Sequence, residues 1–239
     1  DDATPKTILP MLTVLCYKWG DKYRAAHVNA LARQVARHYA RPHRFVCITN
    51  DPDGIDPAIG ILPDLEDYAD LPSPHGGANP SCYRRLRLFH PNAAEWYGER
   101  FVLLDLDIVI TGDVVPLWDR PDEFVIYRDP LYPRQFCGSM FMLHAGMRPE
   151  IWEFFDPARS PLAARRAGYR GSDQAWISYI AEGAATWGPE DGVYSYRKHI
   201  APNRGKLPAD ARVTVWHGAA KPWREGRALP WVRENYAGA

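Results

Sequence analysis

The 239-residue sequence predicts an α/β fold, a mostly parallel central sheet flanked by helices. Two observations carry this. The first fifty residues read strand, helix, strand, a unit that crosses over to a parallel neighbour with right-handed connectivity. Further along, the apolar runs Phe101 to Leu104 and Val213 to Trp216 lead directly into Asp105 and His217. Ligand sites in such sheets gather at the carboxyl ends of strands. Hydrophobic residues make up 46% of the chain, ample for a core, and no linker or repeat divides it. Residues 1–239 are therefore expected to form a single domain.

The elements follow in order. Thr7 to Cys16 is apolar and rich in strand-forming residues, ending Thr13-Val14-Leu15-Cys16. Gly20 and Asp21 supply a turn and the expected N-cap. From Lys22 to Tyr39, apolar residues fall at Tyr23, Ala26, Val28, Leu31, Val35 and Tyr39, one face of a helix that Pro42 stops. Phe45 to Thr49 is the second strand. Residues 51–80 carry prolines at 52, 57, 63, 72, 74 and 80 and little periodicity. A loop of that length in a compact domain is functional or mobile, and its end, with hinges at Gly76 and Gly77, is expected to act as a lid over a ligand. Ser81 to Phe89 reads as a helix on which Arg84 and Arg87 share a face and Arg85 points elsewhere. Ile108 to Ile110, Phe124 to Tyr127 and Ser139 to Leu143 read as further strands, and Pro149 to Phe155 and Ser172 to Ala181 as helices.

Composition excludes several classes. The chain has 29 basic and 29 acidic residues, which argues against a nucleic-acid partner held by bulk charge. No apolar run approaches the roughly 18 residues of a membrane-spanning helix, and the opening residues lack the pattern of a signal peptide. A cytoplasmic location is expected, with peripheral contact to a membrane surface left open. Cys16, Cys47, Cys82 and Cys137 form no Cys-x-x-Cys pair and read as reduced thiols. Dinucleotide, Walker, serine-hydrolase-elbow and zinc-protease motifs are all absent. Nine Trp and thirteen Tyr suit a cleft walled by flat rings, as in sugar-binding proteins.

Chemistry concentrates in four places. In Asp105-Leu106-Asp107, two acids end an apolar run. Alternate residues of a strand share a face, so both carboxylates are expected to reach one hard cation, Mn²⁺ or Mg²⁺. The plainer reading is an acidic turn at a strand end. In His217-Gly218-Ala219-Ala220-Lys221-Pro222-Trp223, the histidine can be a third ligand and Lys221 suits a phosphate. The alternative is a loop with a surface lysine. In Gly171-Ser172-Asp173-Gln174, Ser172 is the expected N-cap, and Asp173 and Gln174 can point into a cleft, or simply complement the helix dipole. Arg84, Arg85 and Arg87 meet a diphosphate or sugar, or form a solvated face.

Taken together these stretches resemble a family. The order and spacing of Val14-Leu15-Cys16-Tyr17, Tyr83-Arg84-Arg85-Leu86-Arg87-Leu88, Phe101-Val102-Leu103-Leu104-Asp105-Leu106-Asp107, Gly112-Asp113-Val114-Val115-Pro116-Leu117-Trp118, Cys137-Gly138-Ser139-Met140, Ser172-Asp173-Gln174 and Gly218-Ala219-Ala220-Lys221-Pro222-Trp223 are similar to those of GT-A fold glycosyltransferases. Within these, family 8 is the nearest match, the group of glycogenin and bacterial lipooligosaccharide galactosyltransferases. The resemblance implies that Asp105 and Asp107 hold Mn²⁺ against the diphosphate of a UDP-sugar. It implies Arg85 on donor sugar and phosphate, Lys221 on the diphosphate, and Asp173 on sugar hydroxyls. Gln174 would lie near the reacting carbon, and Cys16, Tyr17 and Tyr23 at base and ribose.

Two departures stand out. The family writes His-x-x-Gly-x-x-Lys-Pro-Trp, whereas Val215 occupies the histidine's place here and His217 directly precedes Gly218. Either His217 ligates the metal from a shifted loop or the metal has two protein side chains; the first is taken as the expectation. Second, Gly138-Ser139 stands where the family often has Asn-Ala-Gly. The expected activity is metal-dependent transfer of a sugar from a UDP-sugar to the hydroxyl of a glycan or other acceptor, with retention. One alternative is a nucleotidyltransferase, for which Val14 to Gly20 lacks a triphosphate loop. The other is a non-catalytic nucleotide- or glycan-binding homologue, against which the intact acids and Lys221 count.

Overall fold

The structure, a computed structural model, describes residues 10–75 and 81–236. The start of the first expected strand and the hinge glycines Gly76 and Gly77 lie outside the described residues. Ten strands and seven α-helices are described: β1 (Leu12–Tyr17), α1 (Ala25–His38), β2 (His43–Ile48), β3 (Gly60–Leu62), α2 (Ala93–Tyr97), β4 (Arg100–Leu104), β5 (Val109–Ile110), α3 (Val115–Trp118), β6 (Phe124–Arg128), β7 (Phe136–His144), α4 (Glu150–Glu153), α5 (Ser160–Arg166), α6 (Asp173–Ile180), β8 (Ala185–Trp187), β9 (Val193–Ser195), β10 (Val213–Val215) and α7 (Pro230–Asn235).

The main sheet runs β3-β2-β1-β4-β7-β6-β8. β1 pairs parallel with β2 and β4, β2 with β3, and β6 with β8. Only β7 is reversed, lying antiparallel between β4 and β6. β1, β4 and most of β7 are buried on both faces, as interior strands of a sheet covered on both sides must be. A small second sheet, β5-β10-β9, stands apart. No helix among the described residues is long and apolar enough to cross a membrane.

Two features of this topology build a site. The chain passes outward from β1 to β2 and β3, then returns to the other side of β1 as β4. The carboxyl ends of β1 and β4 therefore flank a topological switch point, where a crevice opens beyond the sheet. Because β7 runs backwards, its amino end meets that same edge, and the Asp105 amide donates to the Ser139 carbonyl at 2.9 Å. β10 brings His217 to this region from more than a hundred residues away.

The helix after β1 begins at Ala25, later than its apolar spacing suggests. The Arg24 amide donates to His27 Nδ1 at 2.8 Å and so closes the first turn, leaving Tyr23 on the preceding bend. α1 buries Gln34, whose Oε1 accepts from the Ile110 amide at 2.8 Å and fixes β5. Residues Tyr83–Phe89 form a tight 3₁₀ helix rather than an α-helix. In that geometry positions three apart eclipse, and Arg84 and Arg87 both turn to the preceding loop, pairing with Asp64 and Asp67. They are structural clamps on that loop, with Trp19 and Trp96 under their guanidiniums, and not a solvated face. All four cysteines are free.

Candidate functional site

A cleft of about 600 Å³ opens at the switch point, lined by Tyr23, Asp105, Asp107, Cys137, Ser139, Gln174, His217 and Lys221 among others. An adjoining hollow of about 380 Å³ is walled by Tyr17, Trp19, Lys22, Tyr23, Arg85 and Leu106 and shares Asp105 with the cleft. The flat-ring lining expected from composition is thus present at one end.

The acids do not extend a strand. β4 ends at Leu104, and Asp105-Leu106-Asp107 forms a turn, with the Ile108 amide reaching back to the Asp105 carbonyl at 3.3 Å. The alternation argument for a shared face is therefore corrected: the turn sends the two carboxylates to different partners. Tyr236, near the chain's end, pins it by donating to the Leu106 carbonyl at 2.6 Å.

Asp105 Oδ1 accepts from Arg85 Nη1 at 2.6 Å. The Asp105 side chain stays one-third exposed and faces the cleft. Arg85 forks: its Nε donates to Asp173 Oδ2 at 2.7 Å. Asp173 opens α6 and is 1% exposed. Burial pushes its carboxyl pKa up, opposed mainly by Arg85. Burial also works against the charge of Arg85, yet Asp173 and Asp105 hold its pKa above the ordinary value. This fork needs Gly138. A Cβ at Gly138 would lie 2.7 Å from Arg85 Nη2 and 3.3 Å from Asp173 Oδ2, closer than atoms pack without something shifting. Gly138→Ala is expected to displace the guanidinium and to destabilise the fold by about 1.5–3 kcal/mol, the cost of one charge-assisted hydrogen bond. Thermal unfolding checks this; an unchanged Tm would mean that the fork tolerates the methyl.

Asp107 is buried. Its Oδ2 accepts from Lys221 Nζ at 2.5 Å and from Tyr23 OH at 3.1 Å. Burial and the neighbouring Asp105 raise its pKa, with Lys221 opposing them. Asp107 Oδ1 is buried without a partner. So is His217 Nε2, whose ring lies parallel to Tyr127 and whose Nδ1 sits 3.9 Å from Cys137 Sγ. Burial lowers the His217 pKa, against the pull of Asp129, Asp107 and Asp105, which favours the neutral ring that a metal requires. Burial pushes the Cys137 thiol up to about 12, so it is not a nucleophilic thiolate.

A cation suits this donor set on two grounds. Both unpartnered buried atoms are metal-ligand types and line one cleft, and the cluster holds one more carboxylate than cation. As it stands, however, no group of three or more His, Cys, Asp or Glu side chains among the described residues is gathered to hold an ion. Arg85 and Lys221 occupy the carboxylates that an ion would use.

Chains with this architecture are known. The galactosyltransferase LgtC, solved in complex with donor and acceptor sugar analogues, superposes with a TM-score of 0.61 at 17% identity over 93% of either chain. The fold is that of the GT-A glycosyltransferases. The bifunctional glycosyltransferase WbbM gives a TM-score of 0.62 at 15% identity, covering 99% of this chain and 51% of that one. The glycosyltransferase GlyE of Streptococcus pneumoniae gives 0.56 at 11%, covering 90% and 56%. No protein-family model matches the chain, and no curated protein matches it by sequence. The likeness to family 8 carried by the motifs thus holds at the level of the fold.

Of the expected site residues, the GT-A cleft gathers Tyr23, Asp105, Asp107, Gln174, His217 and Lys221. Tyr17 and Arg85 line the adjoining hollow, and Asp173 lies behind Arg85. Cys16 is corrected: its side chain is in the core, in register with Cys47 on β2, and lines neither space. Ser172 is corrected as a cap: its hydroxyl accepts from the Cys82 amide at 2.9 Å and so ties α6 to the Arg85 segment. Sequence reasoning missed the spacer role of Gly138, whose one visible signal was its departure from the family pattern.

Proposed function

We propose that this chain is a metal-dependent glycosyltransferase that moves a sugar from a UDP-sugar to an acceptor hydroxyl with retention. The observation that carries the reading is the interlocked set Asp105–Arg85–Asp173 beside Asp107–Lys221 in a crevice at the switch point of a GT-A fold. LgtC, named above with donor and acceptor analogues, supports a nucleotide-sugar donor.

The residues divide the work. The aromatic hollow of Tyr17, Trp19 and Tyr23 takes the base and ribose, where stacking against flat rings offsets their desolvation. Asp105, Asp107 and His217 would hold Mn²⁺ or Mg²⁺. When bound, that ion neutralises charge developing on the departing diphosphate. Lys221 then exchanges Asp107 for phosphate oxygens, a short swing for a flexible ammonium. Asp173, buried behind Arg85, holds that guanidinium in a fixed geometry towards the donor sugar and phosphate. Gln174, with its amide on the Arg170 carbonyl at 3.3 Å, stands at the reacting end of the cleft.

Calorimetry with UDP, with and without Mn²⁺, tests the binding half. The reading requires tighter binding when both are present. Metal-independent affinity would remove the ion from the site. His217→Ala is expected to raise the Mn²⁺ concentration for half-maximal UDP binding by roughly 10–100-fold, the scale seen when support of a metal site is lost. An unchanged titration leaves Asp105 and Asp107 as the sole protein ligands.

A further inference from the structure

A second hollow, of about 260 Å³, lies near Gln174 of the cleft, lined by Tyr132, Pro133, Arg134, Gln135, Ala167, Gly168 and Tyr169. One backbone carbonyl links side chains of the two spaces. Arg170 O accepts from the Gln174 amide on the cleft side at 3.3 Å and from the Gln135 amide on the hollow side at 3.0 Å. Gln135 also precedes Cys137 of the cleft by two residues, about 7 Å along an extended chain. The hollow walled by Tyr17 and Trp19 adjoins the cleft through Lys22, Tyr23 and Asp105, none of which lines the second hollow. A chain of sugars reaching Gln174 from the Arg170 side would lie across the second hollow.

Its chemistry is specific. The protein is neutral overall, yet exposed Arg134 lines the hollow and exposed Arg170 directly follows its Tyr169, and neither forms an ion pair with a carboxylate among the described residues. The Arg170 guanidinium lies 4.9 Å from the centre of the Tyr132 ring, which is itself 40% exposed. Such rings and guanidiniums pair with the apolar faces and the anionic groups of acidic sugars.

The hollow is also fixed before anything binds. Asp129 Oδ1 accepts from the amides of Leu131 and Tyr132 at 2.8 and 3.1 Å. The Gln135 amide bonds back to the Tyr132 carbonyl at 2.8 Å. Gln135 Oε1 accepts from the Arg170 amide at 2.7 Å. A preformed surface loses little ordering entropy on binding.

We propose that this hollow is an outer acceptor subsite for an anionic sugar unit, its ring against Tyr132 and Tyr169 and its carboxylate or phosphate on Arg134 and Arg170. It rests on the transferase reading for the word acceptor, while the binding itself does not. The selectivity comes from charge-assisted hydrogen bonds and is screened by salt.

Oligosaccharide titrations on the whole chain test it. The parent is expected to bind trigalacturonate at least tenfold tighter than maltotriose, a neutral chain of equal length. Glucose 6-phosphate asks whether a phosphate serves as well as a carboxylate, and inorganic phosphate alone asks whether the ring contributes. The double variant Arg134→Ala/Arg170→Ala is expected to abolish the preference for trigalacturonate. Tyr132→Ala is expected to weaken both trisaccharides. Arg134 has no hydrogen-bond or ion-pair partner among the described residues, and Arg170 holds Gln135 and Gln174 through its backbone, so the double change removes only the Arg170 contact with the Tyr132 ring. UDP affinity is expected to stay at the parent value in all of these variants. Equal binding of the two trisaccharides by the parent, or a preference that survives the double variant, overturns the proposal. Failure of UDP to bind any form would overturn the transferase reading and leave the titrations to judge the hollow.

Discussion

Asp107→Asn is expected to lower turnover of the nucleotide sugar by roughly 10²–10³-fold, the scale of losing one preorganised charge contact in a transition state. The exchange keeps shape and keeps an acceptor for Tyr23 OH, so packing is preserved. What it removes is the negative charge facing Lys221, and both side chains are at most 8% exposed. A buried ammonium left without its counter-ion costs about 3 kcal/mol or more. In a chain of this length that lowers Tm by several degrees, at ~2–4 °C per kcal/mol. The double variant Asp107→Asn/Lys221→Met separates the two effects. An apolar replacement of the whole pair is often neutral for stability, so Tm should return towards the parent value while activity stays lost. Thermal unfolding together with UDP-release kinetics checks both. If the double variant recovers activity along with stability, Asp107 serves the fold alone.

Arg85→Lys is expected to cost about 10²-fold in kcat/KM for the donor. The change keeps the charge, but a single ammonium cannot span Asp105 and Asp173 as the planar fork does. Two charge-assisted bonds, at 2.6 and 2.7 Å, are at stake, each contributing about 1.5–3 kcal/mol. Part of the loss should appear as stability, because Asp173 would remain buried with weaker compensation. Shortening the side chain also removes the atom nearest Gly138. Gly138→Ala should therefore cost less on the Arg85→Lys background than in the parent, a coupling expected only of groups in contact. Additive losses would place the two residues in separate roles.

These results would concern contacts that local pattern does not encode. The β-α-β opening, the strands before Asp105 and His217, and the helix opened by Asp173 are legible because burial imposes a short period on the chain. The acids, His217 and Lys221 are legible as residue types at strand ends. The pairing among them is not. Asp107 meets Lys221 and Asp173 meets Arg85 only after the sheet has brought distant segments to one edge. The turn at Asp105–Asp107 can be read as strand because the apolar run continues past it in Ile108–Ile110, and the bend is fixed partly by the distant Gln34, Ser139 and Tyr236. Cys16 misleads for the opposite reason: it lies beside Tyr17 at the correct strand end, but alternation sends its side chain into the core.

The central claim is that Asp105, Asp107, Arg85 and Lys221 together release a nucleoside diphosphate from its sugar. A panel of nucleotide sugars, assayed for UDP release with Mn²⁺ present, addresses it most directly. The expected result is metal-dependent release from at least one UDP-sugar, lost in Asp107→Asn/Lys221→Met. Release that ignores the metal, or that persists in that folded double variant, would contradict the assignment.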